Sequence, residues 1–186
     1  MSSFTEGQVH QLMESLEKAG WAPGDITRLG QFPDKEGLRR VLHGLSEITQ
    51  VKHLINLDVS PFIPDGWKVK QHIEGGQFEW SPEKVKLYLS PNQQDGKIVE
   101  GNELRKELEG KPVFNANLLD YLLEHPNLIP EEWKRKYIFF WGTIYHDSDG
   151  DLGVRCLGWG GGSWSWSDGW LGYGWDSDNP ALVPAD

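Results

Sequence analysis

The stretch Gly158 to Asn179, GWGGGSWSWSDGWLGYGWDSDN, constrains this chain more than any other. It holds five of the ten Trp residues (Trp159, Trp164, Trp166, Trp170 and Trp175), with little between them but Gly, Ser and Asp. A Gly/Ser run is ordinarily a flexible linker, because it buries too little apolar surface to offset the entropy of ordering. Here each indole can bury roughly 150–250 Å², so the stretch can be held as structure. Ser163-Trp164-Ser165-Trp166-Ser167 alternates strictly. In a strand this puts both Trp on one face and the Ser residues on the other. Trp164 and Trp166 are therefore expected inward as scaffold, with Ser165 and Ser167 turned to a ligand. Such a surface suits binding. It does not suit catalysis, since no Lys, Arg, His or Glu follows Arg155.

At 186 residues the chain has room for one domain, or a domain with an appendage, and for a core without staples. A single cysteine, Cys156, allows no internal disulfide. MSSFTEGQVH has neither a basic nor an apolar segment of a signal peptide, and no apolar run approaches the roughly 18 residues that span a bilayer. The expectation is a cytoplasmic protein without membrane insertion, with a separate route to surface display left open. A net charge of −10 argues against nucleic acid as a partner. The acid is concentrated at the end: from His146 onward seven Asp face one Arg.

Taken in order, the chain predicts α+β. Thr5 to Ala19 has a capping box (Thr5, Gln8) and one apolar stripe of Val9, Leu12, Met13, Leu16 and Ala19. A short helix from the cap Asp25 to Gly30 follows, then a third from Asp34 with Leu38, Val41, Leu42 and Leu45 inward. Residues 1–48 thus form a helical unit. Its five basic and seven acidic residues favour docking or structure over DNA binding. Residues 51–186 form the second domain. Gln50 to Ile55 leads into a strand, and Trp67–Ile73 and Gln77–Trp80 around Gly75-Gly76 read as a hairpin. Lys84–Leu89 is ambiguous, with strand favoured. Gly101–Glu109 and Asn115–Glu124 read as helices, and Pro130–Trp133 as a helical turn. Tyr137–Tyr145 is the strongest strand, apolar on both faces and so central. Leu152–Leu157 returns antiparallel, the Trp-rich stretch adds one or two strands, and Pro180–Pro184 closes the chain.

Few residues offer chemistry. Asp147, Asp149 and Asp151 alternate like oxygen ligands of a calcium loop, yet the twelfth position, a Glu in an EF-hand, is Gly158 here. Asp-Gly between two strands already explains a hairpin turn, so these Asp are weak metal candidates and no metal or cofactor is expected. Cys156 and His146 flank the same hairpin without a third, orienting group. A small buried Cys beside Leu152 and Val154 is the better reading. The remaining His residues have no ligand spacing.

Two resemblances follow from these residues. Trp164-Ser-Trp166-Ser-Asp168-Gly169, with Trp175 and Asn179-Pro180 after it, resembles the W-x-W-x-D-G stretch and later loop of C-type lectin domains, though the paired cysteines and the Glu-Pro-Asn motif are missing. From about Val51 the chain also resembles the variable (target) proteins of diversity-generating retroelements. The best match runs from Phe139-Phe-Trp-Gly-Thr-Ile-Tyr145 through Val154-Arg155 to Asn179-Pro-Ala-Leu-Val183. These proteins present a hypervariable C-terminal segment on a cysteine-free C-type lectin-like scaffold. Template adenines, often in Asn codons, are randomised, while Trp codons contain none and stay fixed. Gly160, Gly161, Ser165, Ser167, Asp168, Gly169, Gly172, Tyr173, Gly174, Asp176, Ser177, Asp178 and Asn179 are all reachable from Asn codons by changes at the first two bases.

The resemblance implies a C-type lectin-like, non-catalytic ligand-binding domain with a variable segment at about 157–179. Those thirteen positions would be the contacts, and Trp141, Trp159, Trp164, Trp166, Trp170 and Trp175 the scaffold. The implied partner is a protein or cell-surface ligand, because short side chains on a flat strand make no deep pocket. Two other readings stay open: a carbohydrate-binding module stacking sugars on Trp170 or Trp175, and an intracellular adaptor acting through the N-terminal helices. A hydrolase is least favoured.

Overall fold

The structure, a computed structural model, describes residues 4–48 and 51–185. The chain divides into two compact units, Met1–Val51 and Lys52–Asp186.

The first unit is three short helices, α1 (Glu6–Lys18), α2 (Pro23–Gln31) and α3 (Lys35–Leu42). Thr5 starts α1 as expected, its Oγ1 accepting from Gln8 N at 3.3 Å while Gln8 Oε1 accepts from Thr5 N at 3.0 Å. Asp34 caps α3 by accepting from Gly37 N at 2.8 Å. Asp25 does not cap α2. The helix begins at Pro23, whose missing N–H is no loss in a first turn, and the Asp25 carboxylate reaches back to Ala22 N at 2.9 Å. The expected inward stripes are not enclosed. No residue of the three helices is buried, and Val9, Leu12, Leu42 and Leu45 are exposed by 48%, 52%, 86% and 68%. Met13, Leu16, Leu38 and Val41 are half-buried, in keeping with the small fraction of surface that so short a unit can bury.

The second unit is α+β. Its strands are β1 (Leu54–Asn56), β2 (Lys68–His72), β3 (Gln77–Glu79), β4 (Val85–Tyr88), β5 (Val99–Glu100), β6 (Ile138–Phe139), β7 (Thr143–His146), β8 (Leu152–Gly160), β9 (Ser163–Trp170), β10 (Gly174–Trp175) and β11 (Ala181–Pro184); its helices are α4 (Gly101–Leu108) and α5 (Ala116–Glu124). The main sheet runs β2-β7-β8-β6-β11-β4, with β9 paired to β8 alone. All its pairings are antiparallel except that of β6 with β11. Alternate residues sort into two cores. Ile138, Leu157 and Leu182 pack with Leu118, Leu119 and Leu122 of α5. Phe139, Cys156 and Ala181 pack with Leu104 and Leu108 of α4 and with Trp141 and Trp175. No helix among the described residues is long and apolar enough to cross a membrane.

Two expected elements are reorganised. The 67–80 hairpin does not form: β2 pairs with β7, and β3 pairs with β1. The Asp58 carboxylate accepts from Gly75 N and Gly76 N at 3.0 and 2.7 Å, so the Gly-Gly corner turns toward β1 and not back onto β2. Tyr137–Tyr145 is not one strand but two, β6 and β7. The break is enforced at Gly142, where a Cβ would lie 2.9 Å from the backbone of Asn115. Gly142 N instead donates to Phe114 O at 2.9 Å. Both pieces are buried on both faces, as a central strand should be. Lys84–Leu89 resolves as a 3-10 turn, Pro82–Lys84, running into β4. Gln50, where the first strand was expected to begin, lies outside the described residues.

Candidate binding surface

β8 and β9 make one long hairpin, registered from Gly153↔Trp170 to Gly160↔Ser163. Gly161 and Gly162 close it with φ of +60° and +85°, the left-handed pair that matches strand twist in a two-residue turn. This register places Trp159, Leu157, Arg155 and Gly153 beside Trp164, Trp166, Asp168 and Trp170 on the α5 side. Gly158, Cys156 and Val154 lie beside Ser165, Ser167 and Gly169 on the α4 side.

The α5 side is organised by a buried cation. Arg155, 1% exposed, pairs bidentately with Asp120 of α5 at 2.7 and 3.1 Å. Its guanidinium packs against the rings of Phe62 and Trp166, 4.9 and 4.8 Å from their centroids. Planar guanidinium stacks well on such faces. Trp166 is nevertheless 38% exposed, so the expectation that it is inward scaffold is corrected. β9 pairs with β8 alone, and Arg155 and Phe62 lie against that indole. Trp164 is half-buried, edge-on to Trp159 at 5.2 Å, with Lys134 Nζ 4.0 Å above the Trp159 ring. Trp170 packs on Trp67 at 5.1 Å. Only Trp141 and Trp175 are fully scaffold, 3% and 2% exposed and 4.8 Å apart. Trp175 therefore has no ring free to stack on a sugar, and Trp170 has Trp67 against it.

None of the expected contact positions is buried. Gly160, Gly161, Ser165, Ser167, Gly172, Tyr173, Gly174, Asp176, Ser177 and Asp178 are exposed, and Asp168, Gly169 and Asn179 are half-buried. Four of them nevertheless serve the fold. A Cβ on Gly169 would lie 2.9 Å from ring carbons of Phe139 and Trp175, and one on Gly174 would lie 2.5 Å from Ile98 Cγ2. Asp176 Oδ1 accepts from Asp178 N at 2.8 Å, and Asn179 Oδ1 from Asp176 N at 3.1 Å, so both side chains make the 176–179 turn. That turn is also pinned from below by buried Gln93, whose Nε2 donates to Asp176 O and Asn179 O at 2.9 and 3.0 Å. Burial raises the Asp168 carboxyl above its ordinary range.

The surface is not flat. Hollows of about 270 and 450 Å³ open on it and share Trp170 and Tyr173. The first is bounded by Ser167 and Asp168, the second by Asp147 and Asp151. Asp147 serves its turn: Oδ1 accepts from Asp149 N and Asp151 N at 2.9 and 3.0 Å. Among the described residues no three His, Cys, Asp or Glu are grouped to hold a metal ion. His146 turns its Nδ1 to Asp147 O at 3.0 Å, and burial pushes the Cys156 thiol up to about 12.

Sequence reasoning missed Phe62, Trp67, Gln93 and Asp120, which hold this surface from outside it. One signal was readable: Arg155 is the only cation in an acidic tail, and a cation inside a strand of Val154, Cys156 and Leu157 requires a carboxylate partner. Comparison with protein-family models, with curated proteins and with solved structures found no match.

Proposed function

We propose that the chain is a non-catalytic binding protein that displays an exchangeable surface on a C-type lectin-like scaffold, as the target proteins of diversity-generating retroelements do. The observation that carries this reading is a division of labour in residues 158–179. The backbone there is held by the hairpin register, by the buried rings of Trp175 and Trp141, and by groups from elsewhere in the chain. Lys136 Nζ donates to Ser177 O at 3.0 Å, Tyr137 N to Asp178 O at 2.8 Å, and Gly101 N to Tyr173 O at 3.0 Å. The exposed side chains of Ser165, Ser167, Tyr173 and Ser177, and the site at Gly172, are free to change while that frame persists, and Asp178 adds to the frame only an exposed ion pair with Lys136 at 3.6 Å, a contact of little weight. The two hollows give such changes relief to act on.

The experiment is a library randomised at those six positions. Most members should fold, since surface sites of this kind usually change stability by about ±0.5 kcal/mol, and selection should yield binders to unrelated protein baits. A library whose members mostly fail to fold overturns the proposal. Its genomic counterpart is a near-copy of the 3′ coding end downstream of the gene, with adenines wherever the two differ and a reverse transcriptase gene nearby.

A further inference from the structure

Between α4, β2 and β7 of the second unit lies a hollow of about 340 Å³. That volume falls within the roughly 300–1,000 Å³ of small-ligand sites. Its floor is apolar and closed, for Leu108, Trp141 and Ile144 are 5%, 3% and 1% exposed. Ile73, 41% exposed, and Val113 extend the apolar lining. Trp141 also keeps a buried Nε1 with no hydrogen-bond acceptor among the described residues. Native proteins leave few buried donors in that state.

The charge at this hollow runs against that of the chain. Acidic residues outnumber basic ones by 28 to 18 overall. Here Arg105 and Lys106 line the hollow together, and neither enters an ion pair among the described residues. Half-buried Arg105 is held instead by a neutral group, its Nη2 donating to Gln71 Oε1 at 2.9 Å. That bond fixes the guanidinium and leaves its charge unmatched. Glu109 is the one carboxylate in the lining, so cations outnumber it two to one.

We infer that this hollow binds a small carboxylic acid with an apolar body. The body covers Trp141, Ile144 and Ile73, and the carboxylate meets Arg105, whose planar fork suits two carboxylate oxygens. Lys106 adds to the attraction. A neutral apolar molecule would leave the guanidinium unmatched, and an organic cation would meet two like charges. The inference does not rest on the reading of the Trp-rich surface.

The test titrates the nitrogen-15-labelled full chain with phenylacetate and, separately, with its neutral analogue phenylacetamide, each to about 10 mM, following backbone amides by NMR. Phenylacetate should shift residues 71–73, 102–113 and 141–144 saturably, and should bind at least fivefold more tightly than the amide, as a partly exposed ion pair allows. Arg105→Gln with Lys106→Gln should bring the acid down to the level of the amide. Glu109→Gln should tighten the acid and leave the amide unchanged. The same spectra report the fold of each variant. If the double variant loses the native pattern, Arg105→Gln alone is titrated and should lose most of the preference for the acid. Shifts that do not saturate overturn the inference, as do shifts confined to residues 19–38 or 158–179. So does an amide that binds as tightly as the acid, or a preference for the acid that survives Arg105→Gln.

Discussion

Two glycines three residues apart should answer opposite ways to the same methyl group. At Gly169 an added Cβ would stand 2.9 Å from Phe139 Cε1 and from Trp175 Cη2 and Cζ2. Carbon pairs prefer about 3.5–4.0 Å, so every contact must open by roughly 0.6 Å or more. Neither ring has room to retreat, since Phe139 and Trp175 are 4% and 2% exposed and lie 4.2 Å apart. Overpacking of this kind costs about 1–3 kcal/mol. For a domain of this size each kcal/mol lowers the melting temperature by about 3–5 °C, so Gly169→Ala should melt roughly 3–15 °C below the natural chain. Gly172 has nothing within 4 Å of the same atom and no positive φ. Gly172→Ala should be neutral, or more stable by about 0.4–1 kcal/mol through the unfolded chain. Thermal melts by circular dichroism of both variants make the comparison. If Gly169→Ala melts with the natural chain, or if Gly172→Ala falls as far, the separation of frame glycines from exchangeable ones is refuted.

Removing Asp120 with Ala should destabilise by about 3 kcal/mol, because it leaves the Arg155 guanidinium buried without its carboxylate; an unchanged urea midpoint would refute that role. Cys156, its thiol pushed up to about 12 by burial, should resist iodoacetamide at pH 8 and react only as urea unfolds the domain. Modification of the native chain at the rate of a free thiol contradicts this. Asp168 has its carboxyl raised by burial, so the folded state holds its proton more tightly than the unfolded chain does. Its ionisation therefore opposes folding increasingly as pH rises from the unfolded value through the folded one. Asp168→Asn should stabilise at neutral pH, with the gain vanishing below the ordinary Asp range; a gain that persists at acid pH would show a different cause.

What could be read from residues alone was what local rules decide. The Thr5–Gln8 box, the helices after Glu100 and Asn115, and the Asp147–Asp151 turn follow from capping and turn chemistry within a few positions. The strand at 137–145 could not be read as broken, because the break is made by Asn115, more than twenty positions away. The 67–80 hairpin failed for the same reason: Asp58 commits the Gly75-Gly76 corner to β1 from outside the segment. Alternation in β9 correctly separated two faces, and the register bears that out. It could not say how much would cover each face. The Trp166 face receives one guanidinium and one Phe ring, while the Gly169 face receives two buried aromatic rings. Thus a Trp expected as scaffold is partly exposed, and a Gly expected as a contact is held to its size. The side-chain period of a strand tells which residues share a side. Which side is filled depends on the layers that fold onto it, and here those layers come from residues 58–67 and from Trp175.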